Sequence, residues 1–470
     1  MNFQELGLSK NVLKGIGQLS FTNPTPIQER VIPLILAGTM DIVGLAQTGT
    51  GKTAAFGLPL LEKIRMDDNR PQALILCPTR ELCIQITSDI EAYAKCIKGF
   101  SVTAVYGGAP IQNQIRSIKK GTHVIVATPG RLLDLLNRKA VNISKAKFMV
   151  LDEADIMLHM GFKDELDAIL ARVPQKRQAL MFSATMPKGV AKIASRYMRD
   201  PIEVTVGRKN SCTSNVSHNY FMVHARDKYQ ALKRIVDYYP DIYSIIFCRT
   251  RISTQQVADQ MIRDGYNAES LHGDLSQAQR SYVMDKFKDR SLQILVATDI
   301  AARGLDVNDL SHVIHYDLPD DIELYTHRSG RTGRAGKDGI SLSIINMKEK
   351  FRIRRIEDFI KQKIIQTKIP RGRDICTQQL MHLIDKVKTV EVDSAQISPY
   401  MKVIEQKLSG LSRDELLKHF VSLEFNRFLN YYKDRTDLTS EEVYSKKGRY
   451  GKERKAKRGF RKKARRKDRR

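Results

Sequence analysis

The stretch Ala46 to Thr53, A-Q-T-G-T-G-K-T, constrains the architecture of this chain more than any other. An apolar run, Ile42 to Leu45, precedes it. A helix-compatible run, Ala54 to Leu60, follows it and is interrupted only near Gly57 and Pro59. Strand, glycine-rich turn and helix, in that order, form a phosphate-binding loop. Gly49 and Gly51 lack side chains, so backbone N–H groups can converge on phosphate oxygens. Lys52 can place its ammonium between outer phosphates, and the Thr53 hydroxyl can hold a magnesium ion. The helix N-terminus adds favourable partial charge. Ala46 stands where the general pattern has glycine, and Gln47, Thr48 and Thr50 complete the loop.

Such a loop needs a parallel sheet behind it, and the chain supplies the strands. Short β-branched or aliphatic runs occur at Asp41–Leu45, Ala73–Cys77, Val102–Tyr106, His123–Ala127, Phe148–Leu151, Ala179–Phe182 and Glu203–Val206. Helical segments separate them, which predicts an α/β domain over residues 1–206 with a sheet covered on both faces. Residues 207–215 are polar and aperiodic, and read as a linker. The alternation resumes over residues 216–347, at Ser244–Cys248, Gln293–Ala297, His312–His315 and Ile340–Ile345, without a second G-x-G-K-T. Two α/β domains of similar plan are expected, only one of them with a phosphate loop.

No strand is expected after Met347. Ile353, Ile356, Ile360 and Ile364 recur at helical spacing, as do Cys376, Leu380, Leu383, Ile384 and Val387. Ser412 and Glu415 form a capping-box pattern ahead of a wide apolar stripe from Leu416 to Tyr432. Residues 348–435 therefore read as a helical extension. Its stripe suits packing within the chain or a dimer seam equally well.

The net charge of +27 calls for a polyanionic partner, nucleic acid or an anionic membrane surface. About half of the excess lies in residues 446–470, where sixteen Lys or Arg face only Glu453 and Asp468. Residues 436–470 thus read as a disordered basic tail suited to nucleic acid. The six cysteines form no C-x-x-C pair and scatter among apolar neighbours, as reduced thiols do in a cytoplasmic protein. The N-terminus shows no signal peptide pattern, and no apolar run approaches the ~20 residues that cross a bilayer.

A second acidic motif matches the loop. Val150 and Leu151 end a strand, and Asp152-Glu153-Ala154-Asp155 follow. Beside a phosphate loop, Asp152 can hold magnesium through water and Glu153 can orient and deprotonate the attacking water. Phosphoryl transfer depends on positioning and charge stabilisation. The first half offers no obvious arginine for the γ-phosphate. Arg331 and Arg334, in a Gly/Thr-rich segment of the second half, can supply it.

With these motifs in place, residues 1–347 resemble the DEAD-box ATP-dependent RNA helicases. Phe21-Thr22-Asn23-Pro24-Thr25-Pro26-Ile27-Gln28 is similar to the family's Q motif, with Phe3 as an upstream aromatic. The resemblance implies that Gln28 reads the adenine edge and Phe21 packs on the ring. Ala46 is also the family's own form of the loop. Pro78-Thr79-Arg80-Glu81-Leu82, Gly107-Gly108 and Thr128-Pro129-Gly130-Arg131 resemble the elements that grip the RNA backbone, which implies RNA contacts from Pro78, Thr79, Arg80, Gly107, Gly108, Thr128, Pro129 and Arg131. Ser183-Ala184-Thr185 resembles the segment that links ATP state to RNA grip through Asp155. Ile246 to Thr250, Leu271 to Asp274, Ala297 to Asp306 and His327 to Arg334 continue the motif series in the family's order.

The resemblance implies two tandem RecA-like domains, ATP and Mg2+ as cofactors, and sequence-independent contacts to structured RNA. It makes Lys52, Glu153, Arg331 and Arg334 the catalytic groups, with the last two as arginine fingers. It places Asp306 on the ribose, Arg249 and Thr298 on RNA, and Asp155, Ser183, Thr185 and His327 in interdomain coupling. Arg249 stands where much of the family has Asn, Ser329 where an aliphatic residue is usual, and Ser20 where Gly is. The helical extension resembles the dimerisation region of bacterial cold-shock-type members, which implies a homodimer and association with ribosomes or other ribonucleoprotein. The expected activity is ATP-driven local unwinding of short RNA duplexes and remodelling of RNA–protein complexes. A DNA-directed relative and a non-enzymatic RNA chaperone acting through the basic tail are the alternatives.

Overall fold

The computed structural model describes residues 2–19, 21–38, 40–47, 49–206, 215–302, 307, 310–333 and 337–432. The basic tail, all of the linker but Asn215, and Thr48, Asp306 and Arg334 lie outside the described residues.

The first domain holds strands β1 (Ile42–Leu45), β2 (Ala73–Leu76), β3 (Val102–Val105), β4 (Val124–Ala127), β5 (Phe148–Leu151), β6 (Gln178–Ser183) and β7 (Ile202–Thr205). They pair in the order β3-β4-β2-β5-β6-β1-β7, every pair parallel. Alternate residues feed opposite faces. Ile42, Ile75, Val124, Val126, Val150 and Phe182 pack on one side. Val43, Leu45, Leu76, Ile125, Met149 and Leu151 pack on the other. Burying each such side chain contributes about 1.5–3 kcal/mol, so the sheet is the rigid platform of the domain.

The second domain repeats the plan with β8 (Val216–Met222), β9 (Ser244–Cys248), β10 (Ala268–Leu271), β11 (Ile294–Thr298), β12 (His312–His315), β13 (Gly339–Ile345) and β14 (Ile365–Gln366). The order is β10-β11-β9-β12-β13-β8-β14, again parallel throughout. β8 therefore occupies the place that β1 holds in the first sheet. The strand β14 corrects the expectation that strands end at Met347. Its two residues pair with Asn219 and Tyr220 along the backbone, Tyr220 OH donates to Gln366 Oε1 (2.9 Å), and Ile365 is exposed, so no apolar pattern marks it.

The extension is helical elsewhere, with helices Lys350–Ile360, Gly372–Thr389, Ser394–Leu408 and Arg413–Tyr432. Ile353, Ile356, Ile360 and Ile364 bury against Tyr325, Leu318 and Met222 of the second domain. The capping box forms: Glu415 N–H donates to Ser412 Oγ (3.2 Å), and Ser412 N–H to Glu415 Oε2 (2.9 Å). The end of the last helix is latched down, because Tyr432 OH donates to Asp237 and Lys233 Nζ lies 4.4 Å from the Tyr431 ring centre. The cysteines among the described residues are free, as reduced thiols require. Among the described residues no helix is long and apolar enough to cross a membrane.

Three buried histidines in the second domain, His218, His312 and His315, give its stability a pH dependence. Burial holds His218 and His312 down to about 4. Burial, then the Arg328 guanidinium, holds His315 well below its ordinary range. In the unfolded chain each titrates near 6.5, so acid adds protons to the unfolded state and not to the folded one. Stability therefore falls as pH drops below about 6.5, by about 1 kcal/mol per histidine at pH 5.5. Urea unfolding of the second domain is expected at a lower midpoint at pH 5.5 than at pH 7.5. An equal or higher midpoint would contradict this.

Candidate ATP and RNA site

Most of the first-domain residues assigned to ATP and RNA follow the carboxyl ends of its strands, where open parallel sheets place ligands. The strand order divides the rim. Neighbours β5, β6 and β1 end in Asp152, Ser183 and the phosphate loop. Neighbours β3, β4 and β2 end next to Gly107-Gly108, Thr128-Pro129 and Pro78-Thr79-Arg80. The residues assigned to ATP and those assigned to RNA thus occupy adjacent halves of one edge.

The phosphate loop joins β1 to helix Lys52–Lys63. Gly49 and Gly51 take φ of 82° and 85°, the left-handed region that glycine enters at no steric cost. A Cβ at Gly51 would lie 2.3 Å from Gln28 Nε2. That close approach has a purpose: Gln28 Nε2 donates to Gly51 O (3.0 Å), and Thr25 Oγ1 donates to Thr50 O (2.8 Å). Thr50 Oγ1 in turn donates to Gln47 O (2.7 Å). Gln28 thereby ties its own motif to the loop, an attachment the sequence reading had not given it. Phe21 sits between Phe3 and Tyr93, each ring centre 6.0 Å away, in an aromatic cluster. Ala46 N–H donates to Ser183 O (3.1 Å), which locks the loop to the end of β6.

Lys52 is buried and its Nζ donates to Ala46 O (3.1 Å). Across from it, burial pushes the Asp152 carboxyl up to about 6 against the pull of Lys52. Glu153 is buried in the left-handed region (φ 51°), and its Oε2 has no partner. Buried acceptors of this kind suit a divalent cation and its bound water. The half-buried Thr53 adds a hydroxyl. Among the described residues no three carboxylate, histidine or cysteine groups cluster as a metal site. A cation here would take its other ligands from phosphate and water, as magnesium does in phosphoryl-transfer sites.

Asp155, two residues on, is fully buried and connects everything else. Its Oδ2 accepts from Thr185 N–H (3.0 Å) and Thr185 Oγ1 (2.7 Å). The same oxygen lies 3.2 Å from His327 Nε2 of the second domain. Burial opposes its charge, yet His327 and Thr185 outweigh burial and hold the carboxyl well below its ordinary range. His327 belongs to helix Ile322–Ser329, which also brings buried Arg331 to the cleft between the domains. Ile156, Phe247, Leu324 and Arg331 line that cleft.

On the RNA half, Arg80 stacks over Tyr106 at 4.7 Å beside Gly108. Its buried Nε and Nη1 have no protein partner, which suits an anion such as a backbone phosphate. Arg131 differs. Its Nη1 donates to Ala109 O (3.1 Å) and Gln114 Oε1 (3.3 Å), so it braces the Gly107-Gly108 turn. In the second domain Arg249 follows β9 and pairs with Asp320 (3.4 Å), while Thr298 ends β11, the neighbouring strand.

Arg328 and Arg280 escaped the sequence reading. Arg328 is buried, grips Asp299 with two nitrogens (Nη2 to Oδ2 at 2.7 Å), and donates to Asp317 O (2.6 Å). It fixes the helix that carries His327. Arg280 pairs with Glu81 across the domains at 3.3 Å. Arg328 lies inside a motif whose other arginines attracted attention. Arg280 lies in a polar helix with no motif at all.

Comparison with known proteins agrees with this geometry. Residues 25–193 match the DEAD/DEAH box helicase family, residues 227–336 the helicase conserved C-terminal domain, and residues 375–433 the helical domain of a probable ATP-dependent RNA helicase. The chain is 43% identical over 406 residues to the DEAD-box ATP-dependent RNA helicase CshA of Geobacillus kaustophilus, covering 86% of each. It is 41% identical over 408 residues to CshA of Bacillus subtilis, covering 87% of this chain and 82% of that one. The structure of S. cerevisiae Dbp5 bound to RNA and ADP BeF3 is similar, with a TM-score of 0.73 and 30% identity over 82% of this chain and 99% of that one. The chain belongs to the DEAD-box family of ATP-dependent RNA helicases.

Proposed function

We propose that this protein is an RNA-stimulated ATPase that separates short RNA duplexes, and remodels RNA–protein complexes, by closing its two domains on one strand. The observation that carries the reading is the Asp155 carboxylate, shared between Thr185 of the ATP half and His327 of the second domain. A contact of this kind makes nucleotide state and domain closure one equilibrium.

In this reading Gln28 and Phe21 hold the adenine, and Lys52 exchanges the Ala46 carbonyl for phosphate oxygens. Thr53 and Asp152 would hold magnesium, which supplies charge neutralisation at the β- and γ-phosphates. Glu153, with its unpartnered Oε2, orients the attacking water and accepts its proton. Arg331 and Arg334 meet the charge on the γ-phosphate when the domains close, and Asp306 meets the ribose. The first domain alone lacks these arginines, so hydrolysis waits for closure. Arg80, with Thr79, Thr128 and the turn braced by Arg131, holds the RNA backbone without reading bases. The bent path this imposes on one strand excludes its partner. The free thiols support work in a reducing compartment, the cytoplasm. Backbone-directed grip fits ribosomal and other ribonucleoprotein targets equally.

An ATPase titration with RNA tests this. RNA is expected to raise turnover, and Glu153→Gln to lower it by about 10²–10⁴-fold. Removing residues 446–470 is expected to weaken RNA affinity and flatten its salt dependence while basal turnover stays intact. If RNA leaves turnover unchanged, or Glu153→Gln is as active as the parent, the reading is wrong. Stimulation by DNA equal to that by RNA would favour the DNA-directed alternative.

The helical extension supports self-association as well. Ile404, Leu408, Leu416, Leu417 and Phe420 are all exposed on its last two helices, and exposed apolar side chains in this number suit an interface. Light scattering is expected to give a dimer mass for the full chain and a monomer mass for Leu417→Glu with Phe420→Glu. Equal masses would contradict the seam.

A further inference from the structure

The helix Ala154–His159 of the first domain and the segment 321–329 of the second meet through side chains at both ends. One end is the Asp155–His327 contact already described. The other lies one helical turn away. His159 Nε2 is 2.7 Å from Asp321 Oδ2 and 3.6 Å from Glu323 Oε2. Between the two ends, Ile156 and Leu324 line the interdomain cleft.

The chemistry of the His159 end is specific. Its Nδ1 lies 2.8 Å from Asp155 O, a carbonyl that can only accept. Its Nε2 faces a carboxylate, which also accepts when ionised. Both ring nitrogens donate only in the imidazolium form, so the geometry asks for a cation between the helices. The end of helix Ala154–His159 favours that cation through the carbonyl groups exposed there. Asp321 is the N-cap of its own helix and Glu323 is in its first turn, where negative charge is favoured. Glu323 is held above the ordinary carboxylate range, by burial first, and its Oε2 has no hydrogen-bond partner. It gains most from a cation brought to it.

We propose that His159 is a positioning residue, a second interdomain clamp that closes on Asp321 and Glu323 and sets how tightly the ATP-bound protein holds RNA. The inference rests on the reading that RNA binding and domain closure are coupled. His159 is not among the residues assigned to ATP or RNA. It acts through the alignment of the helix that carries His327, and through the free energy of the closed state. A partly exposed charge pair of this kind shifts an equilibrium by roughly two- to fivefold.

The test is a charge swap read in the RNA-stimulated ATPase of the full chain. His159→Asp places three acids together and is expected to raise the RNA concentration for half-maximal turnover by about fivefold or more, with turnover at saturating RNA nearly unchanged. Asp321→His alone is expected to raise it by roughly twofold. The double variant, His159→Asp with Asp321→His, is expected to recover at least half of the lost affinity on a logarithmic scale. ATP affinity without RNA and the unfolding midpoint should stay at parent values in all three. Additive effects in the double variant, or an unchanged RNA requirement in His159→Asp, would overturn the clamp. If the parent protein itself shows no RNA stimulation, the functional reading fails and the clamp fails with it. Failure of the swap in an RNA-stimulated parent removes the clamp alone.

Discussion

The structure depends on one buried carboxylate. Asp155 is enclosed between two domains, where an unpaired charge costs several kcal/mol. Two donors from Thr185 and one nitrogen from His327 offset that cost. Opening the domains removes His327 and leaves the carboxylate with Thr185 and the Ile156 N–H. Thr185 lies two residues from Ser183, whose carbonyl holds the phosphate loop at Ala46. The path from phosphate to the second domain thus runs through short hydrogen bonds on rigid strand ends, with no long loop to absorb a displacement.

Sheet order explains why ATP and RNA can share this device. In the order β3-β4-β2-β5-β6-β1-β7, the residues assigned to ATP follow three neighbouring strands and those assigned to RNA follow the next three. Asp152 just after β5 and Pro78 just after β2 therefore follow adjacent strands. The second domain repeats the plan with β8 where the phosphate loop would be, and β8 leads into no such loop. In the proposed function it supplies arginines and a histidine in place of a second nucleotide site, and an active site spread in this way over two domains is one that closure can switch on.

Much of this was legible in the sequence because phosphate chemistry demands particular residues at short spacing. A-Q-T-G-T-G-K-T and D-E-A-D mark strand ends as well as ligands, so they carried the parallel sheet with them. What escaped lacked such a demand. β10 was missed because Glu269 and Ser270 lie in it, satisfied by Lys286 and Gln255, and polar pairs do not read as a strand. β8 carries His218, whose hydrogen bond to Tyr325 (2.9 Å) is made by residues 107 positions apart. Arg131 reads as an RNA contact by motif, and the folded chain adds that its Nη1 holds the turn beside it, because a motif names a residue and leaves its partner open. The interdomain pairs of Arg280 and His159 join residues with no local pattern, and only the folded arrangement brings them together.

The central claim is that the Asp155–His327 contact couples nucleotide binding to RNA binding. The most direct measurement is RNA affinity with and without a non-hydrolysable ATP analogue, in the parent and in His327→Ala. The account predicts that the analogue tightens RNA binding in the parent, and that in His327→Ala this enhancement falls towards one while RNA affinity without nucleotide is kept. An enhancement of the same size in both proteins would contradict it.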